Sequence, residues 1–408
     1  MAKGITCLLA CLLVFGNRNA AQVAFHYKGS RASRSLHSIF IRNLPIINCT
    51  LNGKGPYYFI LDSGAGLSLL TDSSVARQLG LVLNGQSMIY GIGDTVGVKI
   101  SWAEGVSFNI QNIASSRRSR IPVLLSDSLG LADFVGMPVH GILGMDFFRS
   151  FPIGISYRGL TVKIYKPNAE PDTRGYNPLP IRMIRNMLFL DGVAFMNDGI
   201  PQELQALLLD TGSGNGLTIF GDKLKLGAKT PVIYNFLGTG IGGDIYGYQF
   251  RVNQFVMGPN KFTNILTCLP DLNYHEPVKN FHGTIDGSIG SGLLEPFSMI
   301  ISCRDSTLYL RQLASVLQNE GENLTGFEHM YTKEQNSLRV IYVLPGSEAD
   351  KTGVRVNDHI IGINNKRITE LNSQQISELF NHEGIIVELE LQRGERTETK
   401  TIRLKKYI

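Results

Sequence analysis

The feature that most constrains the fold of this chain is an internal repeat. The segment "ILDSGAG" at 60–66 returns as "LLLDTGSG" at 207–214, and each copy is an apolar run that ends on an aspartate, followed by a hydroxyl residue, a glycine and a small residue. A carboxylate at the end of a buried strand is costly unless another group compensates for its desolvation. Each aspartate therefore needs a partner, and the repeat supplies one by bringing Asp62 to Asp210.

More of the chain repeats in register with these segments. Residues 140–166 align without gaps on residues 286–312, and a glycine-rich turn lies about midway in each copy, at 88–100 and 235–250. Two copies of one mainly β unit predict two lobes related by a pseudo-two-fold axis, which places equivalent residues opposite each other. A single Asp-Ser-Gly or Asp-Thr-Gly would be explained as an ordinary strand-to-turn junction. A matched pair with matched downstream glycines favours a site.

Asp-Ser-Gly-Ala at 62–65 and Asp-Thr-Gly-Ser at 210–213 resemble the two catalytic loops of the pepsin- and retroviral-type aspartic proteases. "GILGMD" at 141–146 and "GSIGSG" at 287–292 resemble the element that closes each lobe of that family. The resemblance covers roughly 36–312, and the short lobes look like retroviral units duplicated in one chain. It implies a mainly β, bilobal fold and an aspartic-type endopeptidase that acts as a monomer.

The resemblance also implies roles for individual residues. One ionised and one protonated carboxyl can activate a water molecule and polarise a peptide carbonyl, so no metal or organic cofactor is needed. Ser213 has a hydroxyl that could bond Asp210 where Ala65 has none, so we expect Asp210 to ionise more easily than Asp62. The implied catalytic residues are Asp62 and Asp210, supported by Ser63, Gly64, Thr211, Gly212 and Ser213.

The glycine-rich turns resemble flaps that fold over a bound peptide. Tyr90, Gly91 and Gly240 are the candidate substrate-binding residues there, although Tyr90 could equally be an ordinary strand residue. The segment "GTGIGG" at 238–243 also matches a dinucleotide-binding fingerprint. That interpretation is rejected because the residues that follow have the composition of a strand rather than of a helix.

From residue 326 the pattern changes to that of a third unit. "PGSEADKTGVRVNDHIIGINN" at 345–365 resembles the PDZ domains that are attached to bacterial proteases. In such α+β domains a peptide adds as a strand beside the sheet. By position the receiving segment would be 337–341, with Leu338, Arg339 and Val340 in the groove. The unit would either recruit peptides, including carboxy-terminal ones, or pack on the protease and gate it.

The first residues predict export. Residues 1–21 read as a signal peptide, with an uncleaved anchor or a disordered start as the alternative, and a lipoprotein anchor at Cys11 is disfavoured. We expect a secreted or periplasmic protein with no transmembrane segment after the signal. The formal charge of +5 falls to +3 when Lys3 and Arg18 leave with the signal, which argues against nucleic acid as a partner. The pairing of Cys49, Cys268 and Cys303 stays open.

The predicted organisation has four parts: a signal peptide at 1–21, a first lobe at 22–166, a second lobe at 181–312 and a PDZ-like domain at 326–408. The function predicted from it is hydrolysis of peptides or unfolded proteins by a water molecule that two carboxylates activate. The alternative is a non-catalytic peptide-binding protein that keeps a protease fold and uses the PDZ-like domain as a recruiter.

Overall fold

The computed structural model describes residues 13–14, 23–91, 97–125, 130–196, 199–221, 223–227, 229–271, 285–313, 323–332 and 336–408. Strands dominate, and helices are few and short. The first lobe contains the helices Ser73–Gln78, Leu131–Val135 and Met145–Ser150. Its strands, together with the two-residue strand Leu13–Val14 near the start of the chain, are Leu13–Val14, Phe25–Tyr27, Ser33–Leu36, Ser38–Ile41, Leu44–Leu51, Lys54–Leu61, Leu69–Leu70, Leu83–Tyr90, Val98–Val106, Phe108–Ile110, Ala114–Ser116, Ser119–Leu124, Gly141–Leu143, Ile153–Ser156 and Thr161–Tyr165.

The described residues of the second lobe contain the helix Ser291–Leu294. Its strands are Asn177–Pro180, Arg182–Ile184, Met187–Phe195, Pro201–Leu209, Leu217–Ile219, Val232–Gly240, Gly243–Met257, Asn260–Pro270, Gly287–Ile289, Phe297–Ser302 and Thr307–Gln312. The two glycine-rich turns fall in hairpins, and the turn at 238–243 joins two strands as expected. The mainly β, two-lobed architecture is confirmed.

A six-stranded sheet joins the lobes, and its register shows the repeat axis. The middle strands Ile153–Ser156 and Phe297–Ser302 pair antiparallel, one from each copy. Gly154 lies opposite Ile300, which is its own equivalent in the repeat, so the axis passes through this pair. Each half adds two more strands outward in the same order. One apolar cluster of buried residues runs through this sheet into both lobes.

The glycines of the repeat allow a short strand to pack closely between two neighbouring strands. In each lobe a three-residue strand, Gly141–Leu143 or Gly287–Ile289, lies between two others and pairs parallel with the strand that leads to the aspartate. A Cβ atom on Gly141 would lie 2.4 Å from the Leu69 carbonyl oxygen, and one on Gly287 would lie 2.0 Å from the Thr218 carbonyl oxygen. Only glycine fits at either position.

The lobes close their sheets through equivalent strands. In the second lobe six strands close on themselves, because Met187–Phe195 pairs with both Pro201–Leu209 and Gly243–Met257. In the first lobe the equivalent strand, Leu44–Leu51, pairs with Lys54–Leu61 and with Phe108–Ile110. Phe108–Ile110 follows Val98–Val106 after the single residue Ser107, so the first lobe makes the same closure with an interrupted strand.

The C-terminal unit is a sheet with its own apolar core. In sheet order its strands are Phe327–Thr332, Ser337–Val343, His359–Ile363, Ile386–Arg393 and Arg396–Arg403, and Lys366–Arg367 pairs with His359–Ile363. Its helices are Glu348–Lys351, Ser373–Leu379 and the single 3-10 turn Ile368–Glu370. The buried Asp358 carboxylate accepts two bonds from the Arg393 guanidinium, at 2.7 and 2.8 Å, which ties two strands together. Within the described residues, no helix is long and apolar enough to cross a membrane.

Candidate active site

The two repeat aspartates meet at the interface between the lobes. Each follows its strand directly, and the short neighbouring strand of the same lobe fixes its backbone: Asp62 N–H donates to the Leu143 carbonyl and Asp210 N–H to the Ile289 carbonyl, both at 3.0 Å. The carboxyl groups are buried, with Asp62 2% and Asp210 0% exposed, and they hydrogen-bond to each other. The partner that the buried Asp62 requires is therefore Asp210.

Gly64 and Gly212 let the carboxyls approach the opposite loop. Each glycine N–H donates to the aspartate of its own loop, from Gly64 to Asp62 Oδ1 at 2.7 Å and from Gly212 to Asp210 Oδ1 at 3.0 Å. A Cβ on Gly64 would lie 2.7 Å from Asp210 Cγ, and one on Gly212 would lie 2.3 Å from Asp62 Cγ. The glycines make room for the carboxyl that comes from the other lobe.

Ser63 and Thr211 lock the two loops together. Ser63 N–H donates to Thr211 Oγ1 at 3.0 Å, and Thr211 N–H donates to Ser63 Oγ at 3.1 Å. Each hydroxyl in turn donates across the interface, Ser63 to the Leu209 carbonyl at 2.7 Å and Thr211 to the Leu61 carbonyl at 3.0 Å. These four buried bonds pair the N–H and hydroxyl groups of Ser63 and Thr211 and hold the two loops together.

The two carboxyls are held in different protonation states. Burial raises the pKa of Asp62 to about 7, although the bond from Asp210 and the backbone N–H donors oppose this rise. Burial raises the pKa of Asp210 well above its ordinary value, and the Asp62 charge raises it further. Two carboxyl groups in direct contact cannot both be ionised, because their like charges repel each other. The pair therefore holds one proton between its two carboxyls after the first of them ionises.

The expectation that Asp210 ionises more easily than Asp62 relied on the Ser213 hydroxyl, and the structure gives that hydroxyl another partner. The Ser213 hydroxyl oxygen accepts the N–H of Asn215 at 3.3 Å, within its own loop. The Ser213 carbonyl accepts the Ser291 hydroxyl at 2.9 Å, which anchors the loop to the helix that follows Gly290. Ser213 thus supports the loop, and the Asp210 carboxyl receives its backbone N–H rather than its hydroxyl.

Sequence reasoning missed a second buried carboxylate behind the first loop. Asp146 accepts bonds from the hydroxyl and the N–H of Ser68, the latter at 3.1 Å, and Ser68 Oγ accepts the Gly144 N–H at 3.0 Å. Burial raises the pKa of Asp146 to about 6. The pair ties the Asp62 loop to the closing element of the first lobe. The acid in "GILGMD" was the available signal.

The flap of the first lobe reaches across the cleft. Tyr90 ends the strand Leu83–Tyr90, and its ring packs against an apolar cluster of the second lobe that contains Phe189 and Leu237. Gly91 follows and is buried, whereas 92–96 lie outside the described residues. Tyr90 thus ends a strand and also bridges the lobes.

The flap of the second lobe mirrors this arrangement. Gly240 ends the strand Val232–Gly240 and pairs with Gly243 across the hairpin turn. The next residue, Ile241, is 2% exposed and lies in a first-lobe cluster with Ile100 and Leu124. The described ends of both hairpins therefore contact the opposite lobe in this structure. Substrate contact by Tyr90, Gly91 and Gly240 stays a prediction.

The peptide groove predicted at Leu338, Arg339 and Val340 is placed on the wrong strand. These residues lie in Ser337–Val343, which pairs with strands on both sides, so its backbone cannot receive a peptide. The edge of the sheet is Phe327–Thr332. A cavity lies beside this edge and extends to the helix Ser373–Leu379, and Leu338 is among the residues that line it.

Comparisons with known proteins agree with these units. Residues 47–147 match the family model for aspartyl proteases, and residues 315–392 match the model for the PDZ domain. Curated protein sequences gave no match. Among solved structures, the aspartic proteinase from Irpex lacteus aligns with 10% identity and a TM-score of 0.40, over 70% of this chain and 100% of that one. This chain therefore contains an aspartyl-protease-like domain followed by a PDZ domain.

Proposed function

We propose that this protein is an aspartic endopeptidase in which Asp62 and Asp210 together hydrolyse a peptide bond of the substrate. The observation that carries the proposal is the pair of buried, mutually hydrogen-bonded carboxyls on loops that support each other by matched bonds. A decayed site would have no need for both glycines and both hydroxyls, since each serves the opposite loop.

The protonation states fit an acid–base division of labour. The ionised Asp62 takes a proton from water as the water oxygen adds to the peptide carbonyl carbon, while Asp210 donates its proton to the carbonyl oxygen. In the resulting tetrahedral species, the proton now on Asp62 passes to the amide nitrogen. The C–N bond then breaks, and a hydroxyl of the diol returns its proton to Asp210, which restores the starting state.

Access to the site requires the flaps to move. Tyr90 and Ile241 are packed in clusters of the opposite lobes, and the dyad beneath is almost completely buried. A peptide substrate would enter when these contacts open and would be sealed from water when they close again. An extended polypeptide is the substrate class that suits a cleft running between two flaps.

The remaining parts of the proposal concern context. Both aspartates come from one chain, so we propose a monomer. We propose that the PDZ domain binds peptide segments of substrates or partners and so recruits them or gates the protease. The signal peptide, most of which lies outside the described residues, would direct the chain to the periplasm or the exterior.

Three proteins and a control test the proposed reaction. Residues 22–408 are prepared as wild type, Asp62→Asn, Asp210→Asn and the exposed control Asp172→Asn, and each is incubated with a denatured protein from acidic to neutral pH. Fragments are identified by mass spectrometry. We expect each dyad variant to lose at least roughly a hundredfold in rate, and the control to cleave like wild type.

Two results would contradict the proposal in different ways. Cleavage that survives either dyad variant would place the chemistry elsewhere. A folded wild type that cleaves at no pH would favour the non-catalytic peptide-binding protein, and circular dichroism of the same samples establishes the fold.

A further inference from the structure

The later half of the Asp62 loop is held by a side chain from the opposite lobe. The matched bonds of Ser63 and Thr211 fix the start of each aspartate loop. Three residues after Ser63, Gly66 is buried, and its carbonyl accepts a bond from Asn186 Nδ2 of the second lobe. A backbone group of the Asp62 loop therefore depends on the second lobe for its hydrogen bond.

Asn186 lies at the tip of a hairpin that is anchored in the second lobe. The two strands of this hairpin pair directly on either side of the turn, and their inner ends, Ile184 and Met187, pack in the apolar cluster that also contacts Tyr90. Arg185 and Asn186 have φ angles of 48° and 66°, as in the two-residue turns that suit antiparallel strands. The tip is therefore held firmly where it meets the first lobe.

Arg149 determines which way the Asn186 amide points. Its Nη1 donates to Asn186 Oδ1 at 2.7 Å, which leaves the amide NH2 group for the Gly66 carbonyl. Arg149 lies on the helix Met145–Ser150, which also carries Asp146, the acid that accepts bonds from Ser68. The two sets of bonds that hold residues 66–68 therefore lead to one helix of the first lobe.

The first lobe has the same turn without the same bond. Ile-Arg-Asn at 41–43 recurs at 184–186, so Asn43 is the equivalent of Asn186, and its φ is 59°. Among the described residues, the Asn43 side chain has no hydrogen-bond partner. The Gly214 carbonyl, equivalent to that of Gly66, lies instead against Gly292, where a Cβ atom would be 2.8 Å from it. The turn therefore forms without a bond across the lobes, and the bond of Asn186 serves the Asp62 loop.

We propose that Asn186 is a positioning residue, which holds the Asp62 loop in the conformation that keeps the Asp62 carboxyl in contact with Asp210. The inference rests on the proposed function and adds a residue to it. Without this donor the buried Gly66 carbonyl would lack a partner, so the loop would shift to find one. A displacement of 1 Å at a catalytic group can cost about a hundredfold in rate.

Asn186→Asp is the sharpest test, because it keeps the size of the side chain and removes only the donor. The ionised carboxylate still accepts the bond from Arg149 but places a second acceptor against the Gly66 carbonyl. Asn and Asp both tolerate the left-handed backbone of the turn. Asn43→Asp makes the same change in the equivalent turn of the first lobe and is the matched control.

Cleavage of a fluorogenic peptide by residues 22–408 is measured from pH 3 to pH 7. Near pH 6 we expect Asn186→Asp to lower kcat by roughly tenfold or more with KM nearly unchanged, and Asn43→Asp to match wild type. Below a pH of about 4 the new carboxyl takes up a proton and can donate again. The ratio of its kcat to that of wild type should therefore rise at low pH, which a general loss of folding would not produce.

Hydrogen exchange read by mass spectrometry tests the hold on the loop without any cleavage. At pH 7 we expect Asn186→Asp to speed exchange in peptides that cover residues 62–68 and to leave residues 210–216 unchanged. In Asn43→Asp both segments should exchange as in wild type.

The proposal is overturned if Asn186→Asp leaves exchange at residues 62–68 unchanged, or if it cleaves like wild type at every pH. A kcat ratio that is equally low at every pH would also overturn it, since the missing donor would then not be the cause. A folded wild type that cleaves at no pH contradicts the proposed endopeptidase, and the exchange comparison alone then decides whether Asn186 holds the loop.

Discussion

The two lobes are nearly identical at the two aspartate loops and different where each packs on itself. At the axis both loops make the same bonds in both directions. Behind the second loop, a buried polar chain runs from Asn215 through Cys268 and Gln249 to Asn235 on the flap strand. By sheet register, Val123 and Ser101 occupy the places of Cys268 and Gln249 in the first lobe.

The first lobe has its own buried polar pair at another place. Ser68 and Asp146 correspond by repeat alignment to Gly216 and Gly292 of the second lobe. The symmetry is therefore strict only where one copy's side chains must fit the other's. Elsewhere each copy satisfies its buried groups in its own way.

The largest expected effect tests the strict part of the symmetry. Gly212→Ala and Gly64→Ala would each push a methyl group into the opposite carboxyl, at 2.3 and 2.7 Å from its Cγ. We expect both to lower kcat/KM by roughly a hundredfold or more, as for the loss of an acid–base group, and Gly212→Ala to be the more severe. The rate of cleavage of a fluorogenic peptide measures this.

The matched control is Gly227→Ala in an exposed turn, where the new Cβ would meet no atom closer than 3.5 Å. It should leave the rate unchanged. Equal activity of Gly64→Ala and wild type would show that the loops are not held as closely as the structure has them, and the comparison of the lobes would lose its basis.

The two aspartate loops, where the symmetry is strict, are also the part of the molecule that the sequence predicted. Asp62 and Asp210 could be matched because their loops and the glycines of the short strands recur in both copies. Ser68 and Asp146 could not, because they are 78 residues apart and have no polar counterpart in the second copy. The groove was placed one strand too late because alternating apolar residues such as Leu338 and Val340 occur in edge and internal strands alike. Asn186 gave no signal, since only the tertiary fold brings it to the Asp62 loop.

A smaller effect concerns the pH dependence of stability, to which Asp146 contributes in the first lobe. Burial raises the pKa of Asp146 to about 6 in the folded chain, above its value when unfolded. The proton that it keeps therefore stabilises the fold fully at low pH, and this stabilisation is lost as pH rises through 6. Asp146→Asn removes the dependence. We expect its free energy of unfolding, relative to wild type, to improve by roughly 2–3 kcal/mol between pH 4 and pH 7.

Urea unfolding at both pH values measures this difference. The exposed Asp172→Asn serves as the control and should show no raised-pKa contribution of this kind. A difference between Asp146→Asn and wild type that stays constant from pH 4 to pH 7 would mean that Asp146 is ionised throughout and that the first lobe tolerates a buried charge.

The smallest effect concerns the relaxed part of the second lobe. Cys268→Val gives it the residue that the first lobe has at the matched place, Val123, and removes both the bond from the Cys268 thiol to Asn215 Oδ1 at 3.5 Å and the bond that the thiol accepts from Gln249. Because the volume is nearly kept, we expect a loss of only about 1 kcal/mol in the free energy of unfolding with unchanged cleavage. Cys303→Val, at a half-buried site outside this series of hydrogen-bonded polar groups, is the matched control. A large fall in cleavage by Cys268→Val alone would show that the polar chain positions the Asp210 loop, and that the lobes differ in how their catalytic loops are held.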